Sequence, residues 1–217
     1  MTVDVWSDIV CPWCYIGKRK FEAALAELGD ELAVTVGYHA FELDPSAAPG
    51  VATPMPEVYA KKFGGPDAAR QAIDRVTRVA AGIGLEFHLD RAVRSNTRMA
   101  HRLVWLAGQA DASTSQATMN ERLMRAYFSE GRNLGDPDTL ADLAAELGFD
   151  REHVRGWLDT DAGIAEVAAD LAQAGEYGIT AVPTFVINHQ WVVPGAQDIE
   201  TFVNVLRRAH TKLADTE

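Results

Sequence analysis

Two cysteines occur in this chain of 217 residues, Cys11 and Cys14, set three apart in Cys11-Pro12-Trp13-Cys14. The thiolate, not the thiol, attacks a disulfide, so a redox cysteine needs surroundings that favour the anion. The N-terminus of a helix supplies them, because its unpaired N–H groups point toward the cap residue and the helix dipole adds positive potential. Pro12 suits the first helical position, where a missing N–H costs nothing. Cys11 is therefore expected at the N-cap as the accessible attacking sulfur, with Cys14 one turn further in and less exposed as the resolving one. A thiol with a reference pKa near 8.5 is only about 3% ionised at pH 7, so full ionisation gives roughly thirtyfold more attacking species. Nucleophilicity falls with pKa along a slope of about 0.4 to 0.5, so a stabilised thiolate chiefly makes Cys11 a better leaving group and the pair more oxidising. Pro12 stiffens the turn, and Trp13 offers an apolar ring for docking a partner but no charge.

A C-x-x-C pair has two other readings. Tetrahedral zinc needs two further ligands; there is no other cysteine, and His39, His88, His101, His153, His189 and His210 are scattered without ligand spacing. No metal site is expected. An inert buried pair is the second reading, against which the cap placement beside Pro12 argues.

The elements that position the pair follow from periodicity. Val3 and Val5, then Leu32, Val34, Val36 and Tyr38, alternate as strands do. Phe21, Leu25 and Leu28 recur at helical spacing between them, and Gly29 supplies the stop. From about Pro45 to Gly178 the pattern turns helical, with pieces near 56–63, 67–82, 96–109, 115–130, 137–147, 151–158 and 162–176 and no convincing strand. Asn96 reads as a helix cap there, and His101 as an ordinary helical residue. Strand character returns in Thr184-Phe185-Val186-Ile187-Asn188 and Trp191-Val192-Val193, and Ile199, Phe202, Val203 and Leu206 stripe a last helix. Strand, helix, strand, then strand, strand, helix is the thioredoxin arrangement. The expected class is α/β, a thioredoxin-like domain of residues 1–45 and 178–217 carrying an inserted all-helical domain of residues 46–177. Pro183 stands directly before a strand, which is unusual in a sheet unless its bond is cis or it opens the strand; taken alone it is more often a turn residue.

Composition narrows the partners. With 31 acidic against 20 basic side chains the net charge is −11, so nucleic acid and anionic membrane surfaces are poor expectations, and solubility is the plain reading of the acidity. No stretch approaches the roughly 20 apolar residues of a membrane span. The opening Met1-Thr2-Val3-Asp4-Val5-Trp6 has no basic n-region, apolar h-region or cleavage site, from which a cytoplasmic protein is expected.

Ser7-Asp8-Ile9-Val10-Cys11-Pro12-Trp13-Cys14-Tyr15-Ile16-Gly17-Lys18 with Val182-Pro183-Thr184-Phe185 resembles the DsbA family, and within it the FrnE-like branch. Asn96-Thr97, Ala100-His101-Arg102-Leu103, Ala126-Tyr127-Phe128-Ser129-Glu130-Gly131 and Pro194-Gly195-Ala196-Gln197 are similar to that branch too, so the resemblance spans nearly the whole chain. It implies a cis bond between Val182 and Pro183, a loop packed beside the cysteines, and substrate chain pairing with the backbone of Val182. It also turns Asn96 and His101 toward the cleft as candidate substrate contacts, beside Pro12 and Trp13; His39 is a weaker candidate. The implied activity is thiol-disulfide oxidoreductase or isomerase, acting on protein disulfides or small thiols, with no bound cofactor and glutathione as a candidate co-substrate. The dipeptide Pro-Trp departs from the Pro-His of the periplasmic oxidases. Facing a reduced glutathione pool, such a protein rests as the dithiol, which favours reduction or isomerisation of partner disulfides. Two alternatives remain. 2-Hydroxychromene-2-carboxylate isomerases and kappa-class glutathione transferases share the architecture but resemble one another in a serine where Cys11 stands. A chaperone-like module holding an apolar client would make the cysteines incidental. The oligomeric state is not legible from this sequence.

Overall fold

The structure, a computed structural model, describes residues 1–109 and 111–214. Four strands form the central sheet in the order β2-β1-β5-β6: β1 (Thr2–Ser7), β2 (Thr35–Ala40), β5 (Thr184–Ile187) and β6 (Trp191–Pro194). β1 runs parallel to β2, with Val5 opposite Tyr38, and antiparallel to β5, with Val5 opposite Phe185; β5 and β6 make an antiparallel hairpin. A parallel neighbour demands a crossover, and α1 (Pro12–Leu28) provides it. Gly29, at φ 50°, ends that helix in a conformation a β-carbon would oppose.

Strand alternation sorts the two faces of the sheet. Val3, Val5, Phe185 and Ile187 bury one face under α1 and α9 (Ile199–Ala214), where the rings of Phe21, Phe185 and Phe202 meet at centroid distances of 4.7 to 5.4 Å. Trp6 and Val186 take the other face and pack with Ala174 of α8 (Ile164–Glu176).

Between β2 and β5 lie α2 (Met55–Phe63), α3 (Pro66–Ala81), α4 (Arg98–Leu106), α5 (Gln116–Phe128), α6 (Pro137–Ala145), α7 (Arg151–Leu158) and α8. The segment also holds two short strands that its sequence does not announce, β3 (Thr53–Pro54) and β4 (Val93–Arg94), paired antiparallel. Two residues are too few for a period of two to register. Asn96 is not the N-cap residue expected; Thr97 holds that position, while Asn96 Oδ1 accepts from Arg98 N at 3.0 Å and its amide donates to Ala47 O. An Asx side chain one residue further out does the capping work here and ties the helix start to the preceding loop. Buried Arg102 donates to the carbonyls of Trp157, Leu158, Thr160 and Ala162, satisfying the end of α7 and the turn into α8.

Lys18 interrupts the apolar face of α1 and is only 4% exposed, bonded to Glu22 at 2.7 Å and to Glu121 of α5 at 2.8 Å; Tyr15 OH donates to the same Glu121. The charge is tolerable because both partners reach it. Among the described residues no helix is long and apolar enough to cross a membrane.

Candidate functional site

Cys11 is the N-cap of α1, in extended backbone, and Pro12 follows at the first helical position. Its Sγ accepts the Cys14 N–H at 3.3 Å, one of the free donors of the first turn, and the thiol can donate to Val182 O at 3.7 Å. Both cysteines are free thiols. Cys14 is 1% exposed. Burial pushes its thiol well above the ordinary range, and the hydrogen bond with Cys11, a charge on Cys11 and the charge of Asp8 push the same way, against a backbone hydrogen bond at Asp8 that lowers it.

Cys11 differs from the expectation in one respect: it is 3% exposed rather than open to solvent. The reason is tertiary. The cap points its sulfur at the Val182 carbonyl and toward a cleft walled by α2 and α3, a cavity of about 670 Å³ that Cys11 itself lines. Access runs through that cleft. Trp13 stands at its rim, 40% exposed, with Pro12 beside it.

The Val182–Pro183 bond is cis. The loop is held by Gly195 N–H donating to Pro183 O at 2.7 Å and by the Thr184 hydroxyl donating to Ala181 O at 2.8 Å. Gly17 on α1 lets it approach: a β-carbon there would lie 2.9 Å from Pro183 Cγ and 3.3 Å from Ala196 Cβ. Cys11, Pro12, Trp13 and Val182 are thus brought together around one cavity, with buried Pro183 and Cys14 behind it.

Asn96 and His101 are not among the residues lining the cleft. His101 is buried, its Nε2 3.2 Å from Phe41 O and 3.4 Å from Asp8 Oδ1. Asp8 is 1% exposed; Oδ2 accepts from Leu43 N, and its backbone carbonyl accepts from Cys11 N at 3.0 Å. His39 lies away from the cysteines in the seam between β2 and α8, between Asp170 at 2.7 Å and Asp4 at 3.1 Å and stacked on Trp6. Among the described residues no group of three or more His, Cys, Asp or Glu side chains is placed to hold a metal.

Sequence reasoning passed over the opposite wall. Met55, Val58, Tyr59, Lys62 and Phe63 of α2 and Ile73, Arg75 and Val76 of α3 all line the cavity. Burial, and then a charge on Cys11, push the Tyr59 hydroxyl up to about 12, which keeps it a neutral donor lining the same cavity as Cys11. The spacing 55, 58, 59, 62 was available as one helical face, but nothing local says what that face covers. Ser95, 7% exposed, also lines the cavity, and its Oγ has no partner.

The model of the DSBA-like thioredoxin domain family matches residues 2–207. YwbO of Bacillus subtilis (strain 168) is 31% identical over 202 residues, 92% of either chain. The crystal structure of a probable DsbA oxidoreductase from Streptomyces coelicolor is 34% identical and superposes with a TM-score of 0.89, covering 97% of this chain and 90% of that one. The cytosolic disulfide reductase DsbM from Pseudomonas aeruginosa with GSH, 20% identical at a TM-score of 0.67 and covering 97% of this chain and 100% of that one, shares the fold alone.

Proposed function

This chain belongs to the DSBA-like thioredoxin domain family, and from that premise we propose that it is a thiol-disulfide oxidoreductase or isomerase working through Cys11 and Cys14. The observation that carries the reading is the placement of Cys11: N-cap of α1, lining the cleft, and against the carbonyl of Val182. Cys11 as thiolate attacks one sulfur of a substrate disulfide, forming a mixed disulfide and releasing the other sulfur as thiolate. Cys14 then loses its proton, attacks Sγ of Cys11 and releases the second thiol, leaving the Cys11–Cys14 disulfide for a reducing thiol to reopen. Val182 and Pro183 form the substrate-facing loop, and Pro12 and Trp13 the rim. Asn96 and His101 act through what they hold, the loop at Ala47 and the segments at Phe41 and Asp8.

We assign the chain to the FrnE-like branch on the residues quoted above. A thioredoxin-like domain of 1–45 and 178–217 with a helical domain of 46–177 is the division we propose. The working direction is reduction or isomerisation in a reducing, cytoplasmic setting. The GSH of the DsbM structure makes glutathione the first small thiol to test.

The test is dithiol-driven reduction of a model protein disulfide. Cys11→Ser abolishes it, and Cys14→Ser accumulates a mixed disulfide through Cys11. Full turnover by either single variant overturns the assignment, as would full activity with both cysteines replaced.

A further inference from the structure

The cleft above Cys11 has the opposite charge balance to the chain around it. The chain carries 11 more acidic than basic side chains, yet the charged groups lining this cavity are Lys62, Arg75, Arg94 and a single carboxylate, Asp44. Asp44 is bonded to Arg94 at 2.5 Å, so that pair cancels. Lys62 and Arg75 remain, and among the described residues neither has a carboxylate within ion-pair distance. Many of the other cations pair with a carboxylate, as Arg98 does with Glu42, Arg122 with Glu130 and Glu146, and Arg207 with Glu31; Lys61, Arg91 and Arg208 have no such pair among the described residues, but none of them lines this cavity. Two unmatched cations at one cavity, where carboxylates are in surplus, mark a place that attracts negative charge from outside.

Two further observations point to a ligand. The buried Oγ of Ser95, next to Arg94, has no hydrogen-bond partner in the protein; such a group is ordinarily satisfied by water or ligand. Cys11 is 3% exposed and lines the cavity, so a small molecule that enters the cavity comes directly to its sulfur. At about 670 Å³ the space is that of a small-molecule site, and Val58, Tyr59, Phe63 and Ile73 give it an apolar wall.

We propose that the cleft selects low-molecular-weight disulfides carrying carboxylate groups, with Lys62 and Arg75 as the specificity-determining cations and the Ser95 hydroxyl as a donor to a carboxylate. This rests on the redox reading above. The disulfide takes two electrons from the Cys11–Cys14 dithiol, leaves as two thiols, and the protein is left with its own disulfide.

Three small disulfides of similar size separate charge from chemistry: 3,3′-dithiodipropionate, a dianion; bis(2-hydroxyethyl) disulfide, neutral; and cystamine, a dication. Oxidation of the reduced protein is followed by acid quench and mass of the alkylated thiols, and each rate is divided by that of the same disulfide with dithiothreitol. The normalised rates fall from dianion to neutral to dication, by about tenfold end to end at low salt, and the spread narrows in high salt. In Lys62→Glu/Arg75→Glu the order inverts, and Ser95→Ala slows the dianion by about threefold. A wild-type rate independent of charge, or a charge order that survives the double reversal, overturns the proposal while leaving the redox assignment standing. Failure of all three disulfides to oxidise the wild type faster than Cys11→Ser overturns this proposal, and if dithiol-driven reduction of a protein disulfide fails as well, the redox reading falls with it.

Discussion

Replacing His39 by glutamine tests how the helical segment is held on the sheet. His39 sits on β2, its ring stacked on Trp6 at 4.5 Å, with Nδ1–H donating to Asp170 Oδ1 of α8 at 2.7 Å and Nε2–H to Asp4 Oδ1 of β1 at 3.1 Å. Asp170 completes the seam by accepting from Ala40 N and, through its carbonyl, from Trp6 Nε1. Burial alone pushes the imidazole down; the hydrogen bonds to Asp170 and Asp4, with the charges of both, overcome it and raise the pKa from 6.5 to about 9. A raised folded-state pKa means that protons bind the folded chain more tightly than the unfolded one. Stability from this group is complete below pH 6.5, declines from there to pH 9 and is absent above. The full effect is 2.5 pK intervals at about 1.36 kcal/mol each, or about 3 kcal/mol. The assay is urea unfolding of wild type and His39→Gln at pH 6 and pH 9.5, with the thiols kept reduced. The variant also loses the ring stack, which contributes at both pH values, so the informative quantity is the change in the stability gap. That gap should shrink by about 3 kcal/mol between the two conditions. A gap that stays constant with pH would show that the imidazole is not held as a cation between the two carboxylates.

Two other substitutions probe the site itself. Gly17→Ala places a β-carbon 2.9 Å from Pro183 Cγ with Ala196 behind it, so the loop must shift; we expect a loss of about 1 to 3 kcal/mol in thermal or urea unfolding together with slower disulfide exchange, and unchanged behaviour in both would mean that the contact is not tight. Asp8→Asn removes a buried negative charge that raises the Cys14 thiol; in a Cys11→Ser background, thiolate absorbance against pH should show Cys14 ionising at lower pH than with Asp8 present, and an upward shift would contradict the assignment.

The placement of Cys11 and Cys14 at the start of α1 was legible in the sequence because the interactions that fix it are local. A cap, a proline at the first helical position and a sulfur one turn on are settled within four residues, and the apolar period of α1 carries the rest. The flanking strands and the helical pieces of the middle segment were readable for the same reason; the cis bond before Pro183 was given only by the family resemblance, since that proline taken alone reads as a turn residue. β3 and β4 were not readable, since their pairing joins Thr53 to Arg94 across a distance in sequence that periodicity does not sense. Folding alone decided that Cys11 faces a covered cleft, that Lys62, Arg75 and Ser95 share it, and that Lys18 belongs to an ionic cluster spanning α1 and α5. It likewise put His39 between carboxylates 35 positions before it and 131 after it. Helix and strand signals repeat over a few residues, whereas a site's electrostatics depends on which distant side chains packing brings within a few ångströms.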